Sequence, residues 1–204
     1  MVALGGNALL PRGEPLTFAV QQHSAAAAAY ALAPIITQHQ VVITHGNGPQ
    51  VGLLALQSEA YPEVAGYPLD VLVAESEGMI GYILENELDR VTQVPTLTIL
   101  TRTVVRPDDE AFSHPTKPIG PLYPDTPEVR SVAKAKGWTL GDDGDSLRRL
   151  VASPDPVRVV QAPLIRSLLR QGVLVVCAGG GGIPVVEEGG GRQGVEAVVD
   201  KDLA

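Results

Sequence analysis

Two short Gly-Asn motifs, each set directly behind a run of apolar residues, constrain this chain more than any other feature. Gly5-Gly6-Asn7 follows Val2-Ala3-Leu4, and His45-Gly46-Asn47-Gly48-Pro49 follows Val41-Val42-Ile43-Thr44. A glycine turn at the end of a buried strand lets backbone N–H groups approach a ligand with no Cβ in the way, and aims several donors at one anion. A helix that follows adds the positive end of its dipole. Two such turns in one sheet imply a site that holds two anionic groups face to face, the arrangement that phosphoryl transfer requires.

The rest of the chain reads as alternating strands and helices. Residues 16–38 predict a helix, with an alanine run at 25–29 and Pro34 expected to kink or end it. Residues 41–44 are a buried strand by composition, and Pro49 suits the first turn of a helix over 50–58. Residues 70–91 carry Leu72, Val73, Ile80, Ile83, Leu84 and Leu88 at helical spacing, with Glu75, Glu77, Glu85 and Glu87 between them. Residues 95–106 predict one continuous strand.

From 107 to 156 prolines punctuate a polar stretch of weak periodicity, which reads as an inserted lid subdomain. Regular order returns with a helix over 162–171, a buried strand over 173–177 and the run Gly179-Gly180-Gly181-Gly182. Residues 184–188 and 194–199 suggest a hairpin about the glycines at 189–191. The expected fold class is α/β: a three-layer sandwich with a mostly parallel open sheet, formed by residues 1–106 and 157–204 with the lid between. In such sheets ligands bind outside the carboxyl ends of the strands, where all three glycine turns fall.

Bulk properties exclude several classes. The 204 residues suit one domain or one and a half, and 45% hydrophobic with 19% charged residues is ordinary for a folded domain. With 15 Lys and Arg against 23 Asp and Glu the formal charge is −8, and no basic stripe is present, so nucleic acid is not an expected partner. No apolar run is long enough to span a membrane and no leader is evident, so a cytoplasmic protein is expected. The single cysteine, Cys177, lies in an apolar strand and reads as a buried thiol. One cysteine and 4 scattered histidines give no zinc site.

Neither a Walker P-loop nor a dinucleotide fingerprint occurs. The chemistry therefore falls to the glycine turns and a few lysines. Lys117, in Pro115-Thr116-Lys117-Pro118, is either a solvated surface lysine or a cation carried by a rigid segment onto a phosphate. Lys201, in Asp200-Lys201-Asp202, is either part of a charged turn after an apolar run or a phosphate ligand. Asn7 and Asn47 serve turns as readily as ligands, though two Gly-Asn turns at two strand ends are a less common pairing. His45 is either a loop or core histidine or a proton-transfer group. An anionic oxygen attacking phosphorus needs no general base, which favours the first.

At these residues the chain resembles the carbamate kinases of the amino acid kinase superfamily. The matching segments are residues 2–10 (VALGGNALL), 45–52 (HGNGPQVG), 109–121 (DEAFSHPTKPIGP), 177–186 (CAGGGGIPVV) and 194–204 (GVEAVVDKDLA), in order over essentially the whole chain. The resemblance implies a homodimeric α/β sandwich that moves a phosphoryl group reversibly between ATP and carbamate, with ADP and carbamoyl phosphate on the other side. In arginine catabolism this reaction forms ATP. By motif match, Gly5, Gly6 and Asn7 cradle the transferred group, and Gly46, Asn47 and Gly48 hold the carbamate end. Gly180 and Gly181 lie near the nucleotide phosphates, Lys117 reaches in from the lid, Lys201 neutralises the transferred charge and Asp202 orients the lysines. Mg²⁺ arrives with the nucleotide.

Two departures accompany the match. Relatives continue past the Asp-Lys-Asp segment, so adenine contacts and a further phosphate lysine are expected outside these 204 residues. A Gly-Arg-Gly-Trp-Arg-like lid element is replaced here by Gly144-Asp145-Ser146-Leu147-Arg148-Arg149, so the lid is expected to pack differently. Two rival readings are another acid kinase of the superfamily and a non-catalytic remnant that binds a phosphate-bearing ligand.

Overall fold

A computed structural model describes every residue except Arg12 and Pro62, and the side chain of Asn7 lies outside the described residues. In chain order the elements are β1 (Val2–Leu4), α1 (Gly6–Leu9), α2 (Phe18–Ile36), β2 (Val42–His45), α3 (Gly48–Glu59), α4 (Leu69–Val91), β3 (Thr96–Thr98) and β4 (Arg102–Val105). Then follow β5 (Lys117–Pro124), α5 (Pro127–Ala135), β6 (Thr139–Asp143), β7 (Ser146–Val151), β8 (Pro156–Val159), α6 (Ala162–Arg170), β9 (Leu174–Val176), β10 (Ile183–Glu188) and β11 (Gly191–Gly194).

The first sheet runs β1-β2-β9-β3, parallel throughout. Its short central strands are apolar on both faces, β9 throughout and β2 at its start, as a sheet covered on both sides requires. Alternate residues take opposite sides: Ile43, Leu174 and Val176 pack with Leu84 and Leu88 of α4 and Ala25 and Ala29 of α2. Val42, Val175 and Cys177 meet Ile165 and Leu168 of α6. These are the three layers of the sandwich. The alanine run of α2 lets it lie close to α4. Thr17 caps α2 by accepting the Val20 N–H at 3.4 Å, and the helix passes through Pro34 to Ile36. A proline this near the C-terminus removes one ladder bond and no more.

A second sheet runs β11-β10-β4-β8, with β10 and β4 parallel and antiparallel strands at both edges. Two sequence expectations change here. Residues 95–106 are not one strand: the chain leaves the first sheet after β3 and enters the second as β4. Thr101, fully buried at the break, donates its hydroxyl to Ile99 O at 2.8 Å. The hairpin partner of β10 is residues 191–194 rather than 194–199. Gly189 and Gly190 both have positive φ, 57° and 80°, so a two-residue turn starts the pairing at once, Glu188 opposite Gly191. Ala197, Val198 and Val199 are instead fully buried, with Val198 N–H donating to Ala152 O at 2.9 Å.

Residues 117–151 form a third, antiparallel sheet, β5-β7-β6. Gly144, at φ 65°, turns β6 into β7. Of the two arginines in the altered segment, Arg148 pairs with Asp143 at 3.0 Å and Arg149 stacks 4.7 Å over the Trp138 ring. This sheet docks on α3 by backbone contact: a Cβ on Gly52 would sit 1.9 Å from Gly120 Cα. Around it Val51, Ala55, Leu72, Ile119 and Val151 form one apolar cluster. Among the described residues no helix is long and apolar enough to cross a membrane.

Because Gly52 has no room for one methyl group, Gly52→Ala is expected to destabilise the fold by about 1–3 kcal/mol. Urea unfolding checks this, and an unchanged midpoint would mean that α3 and β5 separate freely.

Candidate functional site

Parallel pairing brings the carboxyl ends of β1, β2 and β9 to one edge of the first sheet, and the site is built there. Behind β1 the chain does not stay an open loop. Gly5 is extended and the next residues wind into one helical turn, with Ala8 N–H bonded to Gly5 O at 2.9 Å and Leu10 N–H to Gly6 O at 2.8 Å. Behind β2, Asn47 is the N-terminal cap residue of α3 and Pro49 lies in its first turn. The two turns touch: Gly46 N–H donates to Leu4 O at 2.9 Å, and a Cβ on Gly46 would lie 3.3 Å from Gly6 N.

Asn47 is buried rather than displayed. Its Nδ2 donates to Ser76 Oγ at 2.9 Å, and that hydroxyl donates to Val73 O at 2.7 Å. This fastens the second turn to α4. The Oδ1 of Asn47 faces the third turn, since a Cβ on Gly180 would lie 2.0 Å from it.

That third turn, residues 178–182, is left-handed at Ala178 (φ 50°), Gly180 (φ 62°), Gly181 (φ 89°) and Gly182 (φ 93°). Conformation and crowding both require glycine. A Cβ would meet the His45 ring at Gly179, Val199 at Gly181 and Thr103 Oγ1 at Gly182. Ala178, with a Cβ in this region, carries a cost that its surroundings must offset. Its N–H donates to Thr101 Oγ1 at 3.0 Å, and Thr103 Oγ1 donates to Gly181 O at 2.7 Å.

Val199, against Gly181, leads into Asp200-Lys201-Asp202. Lys117, the first residue of β5, is mostly buried and donates to Asp200 Oδ2 at 3.0 Å. Asp200 also accepts the Asp202 N–H at 2.9 Å on its other oxygen. That amide, with Lys117 and Lys201 beside it, holds the Asp200 carboxyl below the usual carboxylate range. Lys201 donates to Asp202. Asp202 thus engages Lys201, and the residue that engages Lys117 is Asp200. Pro118 closes the circuit, its carbonyl oxygen 3.5 Å from where a Gly48 Cβ would be. Gly46, Asn47, Gly180, Gly181, Lys117 and Gly48 form a ring of contacts closed through Asp200, a residue outside the sequence candidates, and Gly6 joins it at Gly46.

Beneath the ring lie groups whose role the sequence does not reveal. Glu77, expected on the polar side of α4, is 1% exposed. Its Oε2 accepts the Thr101 N–H at 2.8 Å, while Oε1 has no well-formed partner although Gly179 lies beside it. Burial pushes its carboxyl up to about 8, against the pull of the Thr101 and Gly179 amides. His45 is 1% exposed and its Nδ1 lies 3.1 Å from Gly46 O, so Nδ1 carries the proton. Burial lowers this imidazole to about 4 and keeps it neutral, which suits support rather than proton transfer. Burial likewise raises the Cys177 thiol to about 12 and makes it inert. Glu77 was legible in one way: Val73, Glu77, Gly81, Leu84 and Leu88 share one helix face.

Residues 1–203 match the amino acid kinase family. The chain belongs to that family. It is 54% identical to the carbamate kinase of Rhizobium meliloti (strain 1021), over all of this chain and 64% of that protein. It is 53% identical to the carbamate kinase of Escherichia coli (strain K12), over all of this chain and 68% of that one. In three dimensions it matches the carbamate kinase of Giardia lamblia bound to citric acid, with a TM-score of 0.94 and 39% identity over 99% of this chain and 68% of that one. The AMP-PNP-bound form of the Giardia enzyme matches with a TM-score of 0.85 and 39% identity over 99% of this chain and 66% of that one. The fold is therefore that of the amino acid kinases, and the chain spans about two thirds of these relatives.

Both buried groups predict a pH signature. From pH about 4 to 6.5 the unfolded chain binds a proton at His45 that the fold excludes, so this group makes stability rise with pH. From pH about 4.5 to 8 the fold keeps a proton on Glu77 that the unfolded chain releases, so this group makes stability fall as pH rises. The two oppose each other between about pH 4.5 and 6.5, and Glu77 alone acts above that. Glu77→Gln is expected to remove the alkaline decline and leave the acid limb. Urea midpoints across the pH range read this, and an identical decline in both proteins would place its origin elsewhere.

Proposed function

We propose that this protein is a carbamate kinase, catalysing reversible phosphoryl transfer between ATP and carbamate. The observation that carries the reading is the convergence of three glycine turns in mutual contact with Lys117 and the Asp200-Lys201-Asp202 segment. In the ATP-forming direction an ADP β-phosphate oxygen attacks the phosphorus of carbamoyl phosphate in line. The P–O bond to the carbamoyl group breaks, and carbamate leaves with its electron pair. Both attacking and leaving oxygens are stable anions, so no proton moves and no general base is required. Catalysis then lies in position and charge.

In this reading Gly5, Gly6 and Asn7 cradle the transferred group. Gly46, Asn47 and Gly48, at the positive end of the 12-residue α3, hold the carbamate end. Gly180 and Gly181 approach the nucleotide phosphates. Lys201 and Lys117 neutralise charge spread over the equatorial oxygens, and Asp200 and Asp202 hold them in place before substrate enters. Asn47 acts mainly by fixing its turn, because its Nδ2 is committed to Ser76. Mg²⁺ enters as part of the nucleotide, where phosphate oxygens and water satisfy a hard cation. The neighbouring carboxylates of Asp200 and Asp202 are engaged with the lysines.

Residues 107–156, which include the third sheet and α5, form the lid. Lys117 at its base would break from Asp200 to reach a phosphate, exchanging one anionic partner for another. The readings of a homodimer and of a role in arginine catabolism rest on the resemblance of the sequence motifs, and that of a cytoplasmic protein on composition.

ATP formation from carbamoyl phosphate and MgADP tests the proposal directly. Lys201→Ala and Lys117→Ala are each expected to lower kcat by about 10²–10³-fold, the usual loss for one transition-state charge contact, with the thermal melt unchanged. Turnover that survives both substitutions would overturn the assignment.

A further inference from the structure

The left-handed turn 178–182 is fastened at both ends by one residue. Ala178 N–H, at its start, donates to Thr101 Oγ1 at 3.0 Å. Ile183 N–H, just past its end, donates to Thr101 O at 2.7 Å. Inside the turn Gly181 N–H bonds Ala178 O and Gly182 N–H bonds Gly179 O, both at 3.0 Å. Beyond its own loop and this turn, Thr101 is anchored among the described residues by the carboxyl of Glu77 on α4, which accepts its N–H at 2.8 Å. Thr101 lies where the chain passes from the first sheet to the second, so neither β-ladder holds its N–H. The Glu77 side chain also lies against the turn itself, since a Cβ on Gly179 would stand 2.9 Å from Glu77 Cγ.

We propose that Glu77 is a positioning residue: through Thr101 it holds the 178–182 turn in the left-handed shape that presents its backbone to the nucleotide phosphates. The nucleotide part of this inference rests on the function proposed above; the part about the turn does not. A carboxyl is otherwise hard to explain here. Leucine or methionine would fill the same space on this apolar helix face with no desolvation cost. A carboxyl supplies the acceptor that the orphaned Thr101 N–H needs.

The groups facing Glu77 support a neutral side chain. His45, from β2, approaches the same Gly179 and is itself neutral; Cys177, just past β9, is a thiol. A neutral acid keeps its acceptor oxygen and adds no negative charge beneath a turn that receives an anion. On this account glutamine should substitute for it and alanine should not.

The test compares Glu77→Gln, Glu77→Ala and Thr101→Val in the full chain. Amide hydrogen exchange of residues 101 and 178–183 is measured alongside steady-state kinetics with MgADP and carbamoyl phosphate. Glu77→Ala is expected to speed exchange in those amides by about tenfold, the size of one buried hydrogen bond. It should raise KM for MgADP by a similar factor and leave KM for carbamoyl phosphate within about twofold. Thr101→Val should reproduce both effects without touching α4, and so serves if Glu77→Ala does not fold. Glu77→Gln should stay close to the parent at neutral pH. Unchanged exchange in both disruptive variants, a glutamine variant as loose as alanine, or equal effects on the two KM values would overturn the proposal. If the parent neither turns over nor binds MgADP by calorimetry, the catalytic reading fails, while the exchange data still decide whether Glu77 holds the turn.

Discussion

Parallel pairing of β1, β2 and β9 is the constraint on which the rest depends. It puts three strand ends at one edge of a sheet, roughly 5 Å apart. Turns that leave strands this close cannot pass one another with side chains attached. Glycine at 46 and 179–182 is thus first a packing requirement and only then a means of approaching a ligand, and Gly52 within α3 meets the same requirement where β5 packs on it. Contacts at Gly46 and Gly180 are turn against turn, and that at Gly52 is helix against strand. Substitution at any of them would separate elements rather than merely stiffen a loop.

The buried polar groups follow from the same geometry. A chain that breaks from one sheet to join another leaves backbone donors and acceptors without a ladder, and these must be satisfied in the interior. Thr101, Thr103, Ser76 and Glu77 do so, each bonding a backbone group or the Asn47 amide. The site therefore rests on a layer of hydrogen bonds supported by the apolar faces of α4 and the first sheet. Neutral His45 and Glu77 fit this layer, because an unpaired charge there would cost several kcal/mol. Charge is confined to the rim, where Lys117 and Lys201 meet Asp200 and Asp202 with partial access to water.

Much of the architecture was legible along the chain. The periodicity of residues 70–91 marks α4 within a residue, the alanine run marks α2, and the apolar runs mark β2 and β9. Errors arose where local signals were ambiguous. Residues 95–106 are β-prone throughout, and nothing local marks the passage from one sheet to the other. Residues 194–199 are as apolar as a strand, but the two-residue turn at Gly189 and Gly190 uses up the pairing before them. Weak periodicity hid three strands and a helix in 117–151, because a small sheet exposed on one side needs few apolar residues.

The sequence by itself determined the α/β class, the strand-end positions of the glycine turns and the identity of the lysines beside them, because propensity, periodicity and turn chemistry act between near neighbours. Only the tertiary structure decided which acid holds which lysine, and that a glutamate on a helix is buried beneath the third turn with its carboxyl raised by desolvation. Lys117 and Asp200 are 83 residues apart and Glu77 and Thr101 are 24 apart. Such pairings depend on how sheets and helices stack, and the desolvation that raises Glu77 and lowers His45 exists only once that stacking has removed water.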